Sequence, residues 1–153
     1  MRFGRAATLL LTANTLLGGA MVLSVLYVDR LGHATWLMIA AGVLMVYTSM
    51  GCLSRDVPRF QLALGLATTC FVMMVIATIV NFMHARLVEA QILSGFAPGS
   101  VVEVPADSQK GKELGTLWLA WKLCAVATLT NLALVAYLMV RLGVILQARQ
   151  RNA

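Results

Sequence analysis

Residues 51–60, GCLSRDVPRF, give the strongest indication of the fold. They form the only short, charged, proline-containing segment between two long apolar runs. Trp36 to Cys52 precedes this segment, and Phe60 to Met83, which carries no formal charge, follows it. Ten residues are too few to cross a bilayer, so the segment predicts a tight hairpin whose two helices reach the same membrane face. The basic residues Arg55 and Arg59 indicate that this is the cytoplasmic face or, in a mitochondrion, the matrix face.

The composition of the whole chain agrees with a membrane environment. Of its 153 residues, 60% are hydrophobic and 12% are charged, whereas a soluble domain carries about a quarter charged residues. The net charge of +6 indicates a positive-inside bias and affinity for anionic lipid head groups. Nucleic-acid binding is disfavoured, because no basic cluster is interleaved with aromatic residues. The three cysteines, Cys52, Cys70 and Cys124, form no CxxC pair and are expected to be buried free thiols.

Working outward from the hairpin, we predict an all-α fold of one domain, a four-helix transmembrane bundle. The helices are expected at about residues 6–28, 34–53, 59–94 and 114–147, and the longest loop, about 95–113, joins helices three and four. The first run, Ala6 to Val28, is too long for the apolar core of a cleavable signal peptide and is expected to be retained. Helix three is expected to protrude beyond the membrane until Ser94 and Gly95.

The distribution of charge predicts the orientation of this bundle. The side that holds the hairpin turn carries seven basic residues and one acidic residue, whereas the opposite side carries four basic and five acidic residues. The asymmetry predicts that both the N-terminus and the C-terminus lie inside. The inner charges are Arg2, Arg5, Arg55, Asp56, Arg59, Arg141, Arg149 and Arg151; the outer ones are Asp29, Arg30, Arg86, Glu89, Glu103, Asp107, Lys110, Lys112 and Glu113.

Small and polar residues within the apolar runs predict where helices pack together. Asn14 is expected to face the bundle, because an amide facing lipid is costly. Gly18 and Gly19 in helix one, and Ala63 and Ala67 in helix three, are expected to allow close approach of neighbouring helices.

The first three helices resemble those of tetraspanins. The resemblance rests on Asn14 followed by Gly18-Gly19, on the Gly51-Cys52 junction before a short basic turn, and on a longest loop that follows helix three. It implies a tetraspanin-like arrangement of four helices. The chain departs from the family in the loop, since residues 84–113 contain no cysteine and therefore no Cys-Cys-Gly motif. We also identified no counterpart of the acidic or amide residue that the family carries in helix three.

Chemically reactive groups at membrane depth are scarce in the sequence. Lys122 is expected to extend to the interface beside Trp118 and Trp121, and Arg55, Arg59, Arg141 and Lys122 are predicted to contact lipid head groups. His33 and His84 lie at the outer ends of their helices, where a metal or quinone contact is conceivable, although solvated histidines are the commoner case. No nucleophile–base pair, phosphate loop or HExxH motif is present. We therefore expect no enzyme activity and no cofactor other than bound structural lipids.

Two functions fit these observations. The first is a non-catalytic scaffold or accessory subunit of a larger membrane complex, with a respiratory complex as one candidate. Its partners are then other membrane protein subunits and membrane lipids, and the mitochondrial inner membrane is favoured over a plasma or bacterial inner membrane. The second is a small carrier or a lipid- or quinone-binding protein that uses an outer rim of His33, His84 and Lys122.

The segment from Arg86 to Glu113 is predicted to be the principal recognition surface. It is the only connection long enough to carry a specific shape. Apolar anchors, a mixed-charge rim and a β-branched run suited to strand addition are typical of a docking site. A solvated connector is the alternative. The predicted docking residues are Leu93, Phe96, Val101, Val102 and Glu103.

Overall fold

The computed structural model describes residues 5–27, 34–52, 57–96, 105 and 107–151. These residues form four helices: α1 (Arg5–Tyr27), α2 (Ala34–Cys52), α3 (Val57–Leu93) and α4 (Gln109–Arg151). The all-helical fold and the number of helices are as the sequence predicts. Three of the helices are long and apolar enough to cross a membrane, over Ala7–Val25, Gln61–Leu93 and Gln109–Arg151, whereas the apolar part of α2 covers Thr35–Ser49.

The start of α4 differs most from the sequence-based expectation. The helix begins at Gln109 rather than near residue 114, because Ser108 provides its N-cap. The Ser108 hydroxyl accepts a hydrogen bond from the Gly111 amide at 3.0 Å, and the Ser108 carbonyl accepts one from the Lys112 amide at 2.9 Å. A Cβ atom at Gly111 would collide with the Pro105 carbonyl, so this first turn needs glycine. The polar residues 109–113 are therefore helical. At its other end α4 continues to Arg151, beyond the predicted end near residue 147.

The four helices are arranged in a ring. Each helix packs against two neighbours in the order α1, α2, α3, α4, with α4 closing on α1; the contact between α3 and α4 is the most extensive. Buried residues recur on every helix at alternating spacings of three and four, the heptad pattern of left-handed helix packing. They are Ala7, Leu11, Asn14, Gly18 and Met21 on α1; Met38, Ala41, Met45, Thr48 and Cys52 on α2; Ala63, Ala67, Cys70, Met74, Ala77 and Asn81 on α3; and Leu117, Ala120, Cys124, Ala127, Asn131, Leu134 and Leu138 on α4.

Two glycines bring α1 and α2 into backbone contact. A Cβ atom built on Gly18 would lie 2.7 Å from the Gly42 carbonyl oxygen, and a Cβ atom built on Gly42 would lie 2.7 Å from the Gly18 carbonyl oxygen. These distances are shorter than any side chain tolerates, so the crossing requires glycine at both positions. By contrast, a Cβ atom on Gly19 meets nothing within 4 Å. Gly19 is half-buried and takes no part in this crossing, and its role in helix packing stays a prediction.

The helices of the α3–α4 pair are longer than those of the α1–α2 pair and project beyond them. Asn81 contacts both Met38 and Cys124, which places these residues of α3, α2 and α4 at one depth. From that depth α2 continues for four residues to its first residue, α3 for twelve to its end and α4 for fifteen to its start. At about 1.5 Å per residue, α3 and α4 extend about 12–16 Å further than α2. We call residues 85–96 and 107–117 the α3–α4 extension.

Candidate functional site: three buried asparagines

The most unusual feature of the interior is a set of three fully buried asparagines. Asn14, Asn81 and Asn131 each have 0% exposure, and each occupies a heptad position on the inner face of its helix. An amide in such a position selects one register and one set of neighbours, because any other alignment leaves it without a partner.

Asn14 connects α1 to α2. Its side-chain Nδ2 donates to the Ser49 hydroxyl at 3.4 Å, and that hydroxyl donates to the Met45 carbonyl at 2.9 Å. The Asn14 side chain lies in the bundle, where the sequence had led us to expect it. The 3.4 Å distance makes this the longer of the two bonds that asparagine amides form to oxygen in the described residues.

Asn131 connects α4 to α3 through a shorter bond. Its Nδ2 donates to the main-chain carbonyl of Ala67 at 2.9 Å. That carbonyl also belongs to the α3 helix ladder, so the amide uses the second lone pair of an oxygen that is already bonded. Ala67 permits this approach because its methyl group leaves the backbone within reach.

Asn14, Ser49 and Asn131 form a polar layer between two apolar clusters. Along α1, α2 and α4 the polar residue falls between members of one cluster and members of the other. The first cluster contains Met21, Met38, Ala41, Met45, Cys70, Met74, Ala77, Ala120, Cys124 and Ala127; the second contains Leu11, Cys52, Ala63, Ala67, Leu134, Val135 and Leu138.

Asn81 lies within the first cluster and contacts two sulfur atoms. Its Nδ2 is 3.6 Å from the Met38 Sδ and 3.5 Å from the Cys124 Sγ. Our interpretation that helix three lacks an amide residue was wrong, because Asn81 is an amide on the buried face of α3. The heptad spacing would have identified it, since Asn81 follows Ala77 by four residues as Asn131 follows Ala127. The same spacing would also have identified Asn131, which the sequence analysis does not name.

The three asparagines share one further property. The Oδ1 atom of each is buried and has no hydrogen-bond partner. Burying an amide oxygen without a partner costs about 1–3 kcal/mol, so each site carries an unused acceptor in an apolar interior. Within the described residues, these three oxygens are the buried side-chain polar atoms that have no hydrogen-bond partner.

The cations and aromatic rings near one end of the bundle form a separate cluster. The rings of Phe82, Trp118 and Trp121 lie 5.5–5.9 Å apart, centroid to centroid. The Arg86 guanidinium lies 5.9 Å from the centre of the Phe82 ring and forms a 2.9 Å ion pair with Glu89. Such aromatic groups are typical of the level where lipid head groups meet hydrocarbon.

The other predicted site residues are placed as follows. Ala63 and Ala67 are buried, and Leu93, Phe96 and Lys122 are exposed. Arg141 donates from Nε to the Tyr137 hydroxyl at 2.9 Å, at the opposite end of α4 from Lys122. His84 is half-buried near the aromatic cluster. Val101, Val102, Glu103, Arg55 and His33 lie outside the described residues, as does the side chain of Arg59.

The three cysteines are buried and unpaired, as predicted. Within the described residues, no three side chains of His, Cys, Asp or Glu come close enough to hold a metal ion. Comparisons with protein-family models, with curated proteins and with solved structures find no match for this chain.

Proposed function

We propose that this protein is a non-catalytic integral membrane scaffold or accessory subunit of a larger membrane protein complex. In this proposal the chain crosses the bilayer four times, with both termini inside. The observation that carries the proposal is the α3–α4 extension, which presents exposed apolar side chains beyond the ends of the shorter helix pair.

The spacing of two residues on α4 supports a position for the hydrocarbon layer along this helix. Trp121, in the aromatic cluster, and Arg141 are twenty residues apart on this helix. That separation is about 30 Å at 1.5 Å per residue, which equals the thickness of the hydrocarbon layer. The 19 residues of α2 cover about 28 Å, slightly less than this layer, and we propose that α2 forms the fourth span.

On the same scale, we expect the tip of the extension to lie outside the lipid. Leu93 lies eleven residues beyond Phe82 on α3, which is about 16 Å. The head-group layer on each side of a bilayer is only about 5–8 Å thick. Leu93 and Phe96 are nevertheless 52% and 53% exposed. Apolar side chains in water at the tip of a rigid helical pair are typical of protein interfaces.

Both helices of the extension bury part of their surface, which makes the extension a defined surface. Ala85 and Ile92 on α3 and Leu117 on α4 are buried. The Ser108 cap fixes the first turn of α4. A partner therefore meets preformed helices and does not have to order them, which lowers the entropic cost of association.

The double variant Leu93→Ser/Phe96→Ser tests this function. Both side chains are exposed, so we expect normal insertion and an unchanged thermal midpoint, together with loss of the proteins that co-purify after mild detergent extraction. The matched control, Gln91→Ala/Lys110→Ala, changes two exposed polar residues of the same extension and should keep those proteins. An unchanged set of co-purifying proteins in the Ser variant would contradict the proposal.

The identity of the co-purifying molecules also separates the remaining alternatives. Respiratory subunits would support the mitochondrial inner membrane, and other membrane proteins would support a plasma or bacterial inner membrane. A stoichiometric lipid or quinone without any protein would favour the alternative function, a small carrier or lipid- or quinone-binding protein that uses His84 and Lys122.

A further inference from the structure

We propose that the end of α4, residues 142–151, is the docking site for an acidic amphipathic helix of a partner protein. We call these residues the α4 tail. The tail lies at the opposite end of the bundle from the α3–α4 extension, so it forms a second docking surface. This inference rests on the proposed scaffold function, because it takes the position of the tail relative to the membrane from the proposed four-span arrangement.

The α4 tail extends beyond α3, the helix with which α4 has its most extensive contact. The hydrogen bond from Asn131 to the Ala67 carbonyl places these two residues at one depth. From that depth α3 continues for ten residues to its first residue, Val57, whereas α4 continues for twenty to Arg151. At about 1.5 Å per residue, α4 therefore projects about 15 Å further than α3.

The α4 tail presents apolar side chains at its surface. Val144 and Leu146 are 55% and 45% exposed. A surface groove of about 280 Å³ is lined, among the described residues, by Val144, Gln147, Ala148 and Arg151. Their spacing of three, one and three residues places all four on one face of the helix. Such a face, with an apolar residue, a small residue and a terminal cation, is suited to contact with a second helix.

The charge of the α4 tail selects an acidic occupant. The tail contains Arg149 and Arg151 but no aspartate or glutamate. Both arginines are exposed, and a guanidinium group forms paired hydrogen bonds with a carboxylate. The ion pair of Arg86 with Glu89 lies at the other end of the bundle and does not neutralise the tail. Carboxylates on a partner helix would therefore complement this surface.

The chain itself is a poor source of this partner. At the end of the bundle that holds both termini, the sequence carries seven basic residues and only one acidic residue, Asp56. A second copy that docked tail to tail would bring two basic surfaces together, and like charges at an interface repel each other. The occupant is therefore a different protein.

A lipid surface is the competing occupant of a basic helix with apolar residues, and the length of the α4 tail disfavours it. Arg149 and Arg151 lie eight and ten residues beyond Arg141 on the same continuous helix, which is about 12–15 Å. The head-group layer is only about 5–8 Å thick. With Arg141 at the edge of the hydrocarbon layer, as in the proposed four-span arrangement, the backbone at both arginines lies beyond the head groups.

The test uses the full chain in nanodiscs of zwitterionic phosphatidylcholine. The probe is a fluorescent model peptide of about three heptads, with leucine at the a and d positions and glutamate at the e and g positions. We expect this peptide to bind, and we expect binding to weaken as salt is added, because the arginines are exposed. The same peptide with lysine in place of glutamate should not bind. Equal binding of the two peptides, or no binding of the glutamate peptide, would overturn the proposal.

Paired variants locate the peptide on the protein. Arg149→Gln/Arg151→Gln should weaken binding of the glutamate peptide by about three- to tenfold, the effect of losing two exposed ion pairs. Arg2→Gln/Arg5→Gln is the matched control, because it removes two positive charges from the same end of the bundle outside the α4 tail, and it should keep the wild-type affinity. An equal loss in both variants would show non-specific attraction and contradict docking at the tail.

A dye in the groove distinguishes a partner helix from a lipid surface. Val144→Cys can be labelled with an environment-sensitive dye, because the native cysteines are buried. The emission should shift to the blue when the glutamate peptide binds, and it should not change in nanodiscs that contain phosphatidylglycerol. A blue shift caused by the anionic lipid alone would show that the tail lies on the membrane and would refute the proposal. Leu93→Ser/Phe96→Ser acts at the other end of the bundle, so the two proposals can fail separately.

Discussion

The α1–α2 pair and the α3–α4 pair follow the same heptad pattern but are joined in different ways. The first pair is short, with helices of 23 and 19 residues, and its helices meet through the backbones of Gly18 and Gly42. The second pair has helices of 37 and 43 residues and is joined by alanine, cysteine and asparagine side chains along a more extensive contact. The two glycines give one close crossing of α1 and α2, whereas the longer contact between α3 and α4 supports the projecting extension.

This contrast separates two sources of stability in the bundle. At the α1–α2 crossing, stability depends on shape, because two carbonyl oxygens occupy the space that a methyl group would need. In the α3–α4 pair, stability depends in part on polarity, because the Asn131 side chain donates a hydrogen bond to the Ala67 carbonyl. Steric changes should therefore act most strongly on the first pair, and loss of an amide most strongly on the second.

Gly18→Ala should have the largest effect. The added methyl group would lie 2.7 Å from the Gly42 carbonyl oxygen, so the two backbones must separate. We expect a loss of about 1–3 kcal/mol, as for overpacking elsewhere, seen as a lower thermal midpoint in mild detergent. Gly19→Ala is the matched control. A Cβ atom there meets nothing within 4 Å, and alanine favours the helix by about 1 kcal/mol. Equal midpoints for the two variants would rule out the close crossing.

Asn131→Leu should have the next largest effect. Leucine keeps the branching at Cγ but removes the 2.9 Å bond to the Ala67 carbonyl. The Oδ1 atom lacks a partner both in the bundle and in a separated helix in lipid, so its cost cancels and we expect a loss of about 1 kcal/mol. Asn14→Leu removes a longer bond of 3.4 Å to Ser49 and should cost less, about 0.6 kcal/mol. Thr68→Val serves as the control, since this exposed hydroxyl bonds only within its own helix. The reverse order for the two asparagines would show that the seams do not differ as described.

The sequence predicts the helices well because lipid leaves a strong signal in composition. Runs such as Phe60 to Met83 have no charge, and the bounds of the first three helices agree with the structure to within two residues. The start of α4 was less predictable. Residues 109–113 are polar and include a glycine, and their helical state depends on the Ser108 cap and on the fit of Gly111 against Pro105.

The polar interior was only partly predictable, for a physical reason. Asn14 was identified because it lies in the middle of an apolar run, where an exposed amide would be costly. Asn81 and Asn131 satisfy the same criterion. However, Asn81 donates to two sulfur atoms and Asn131 donates to a backbone carbonyl, and no sequence motif marks such partners. The heptad spacing was the available signal for their burial. The meeting of Met38 and Cys124 at Asn81 depends on how three helices align.

The central claim, four membrane spans with both termini inside, depends on whether α2 crosses the bilayer. Single cysteines at Gly32, Ser54, Ser108 and Gln150 can be labelled in intact vesicles with a membrane-impermeant maleimide, with the wild type as background because its cysteines are buried. With four spans, Gly32→Cys and Ser108→Cys should react from the outer side, and Ser54→Cys and Gln150→Cys from the inner side. Reaction of Gly32→Cys and Ser54→Cys from the same side would show that α2 does not span and that the four-span topology is wrong.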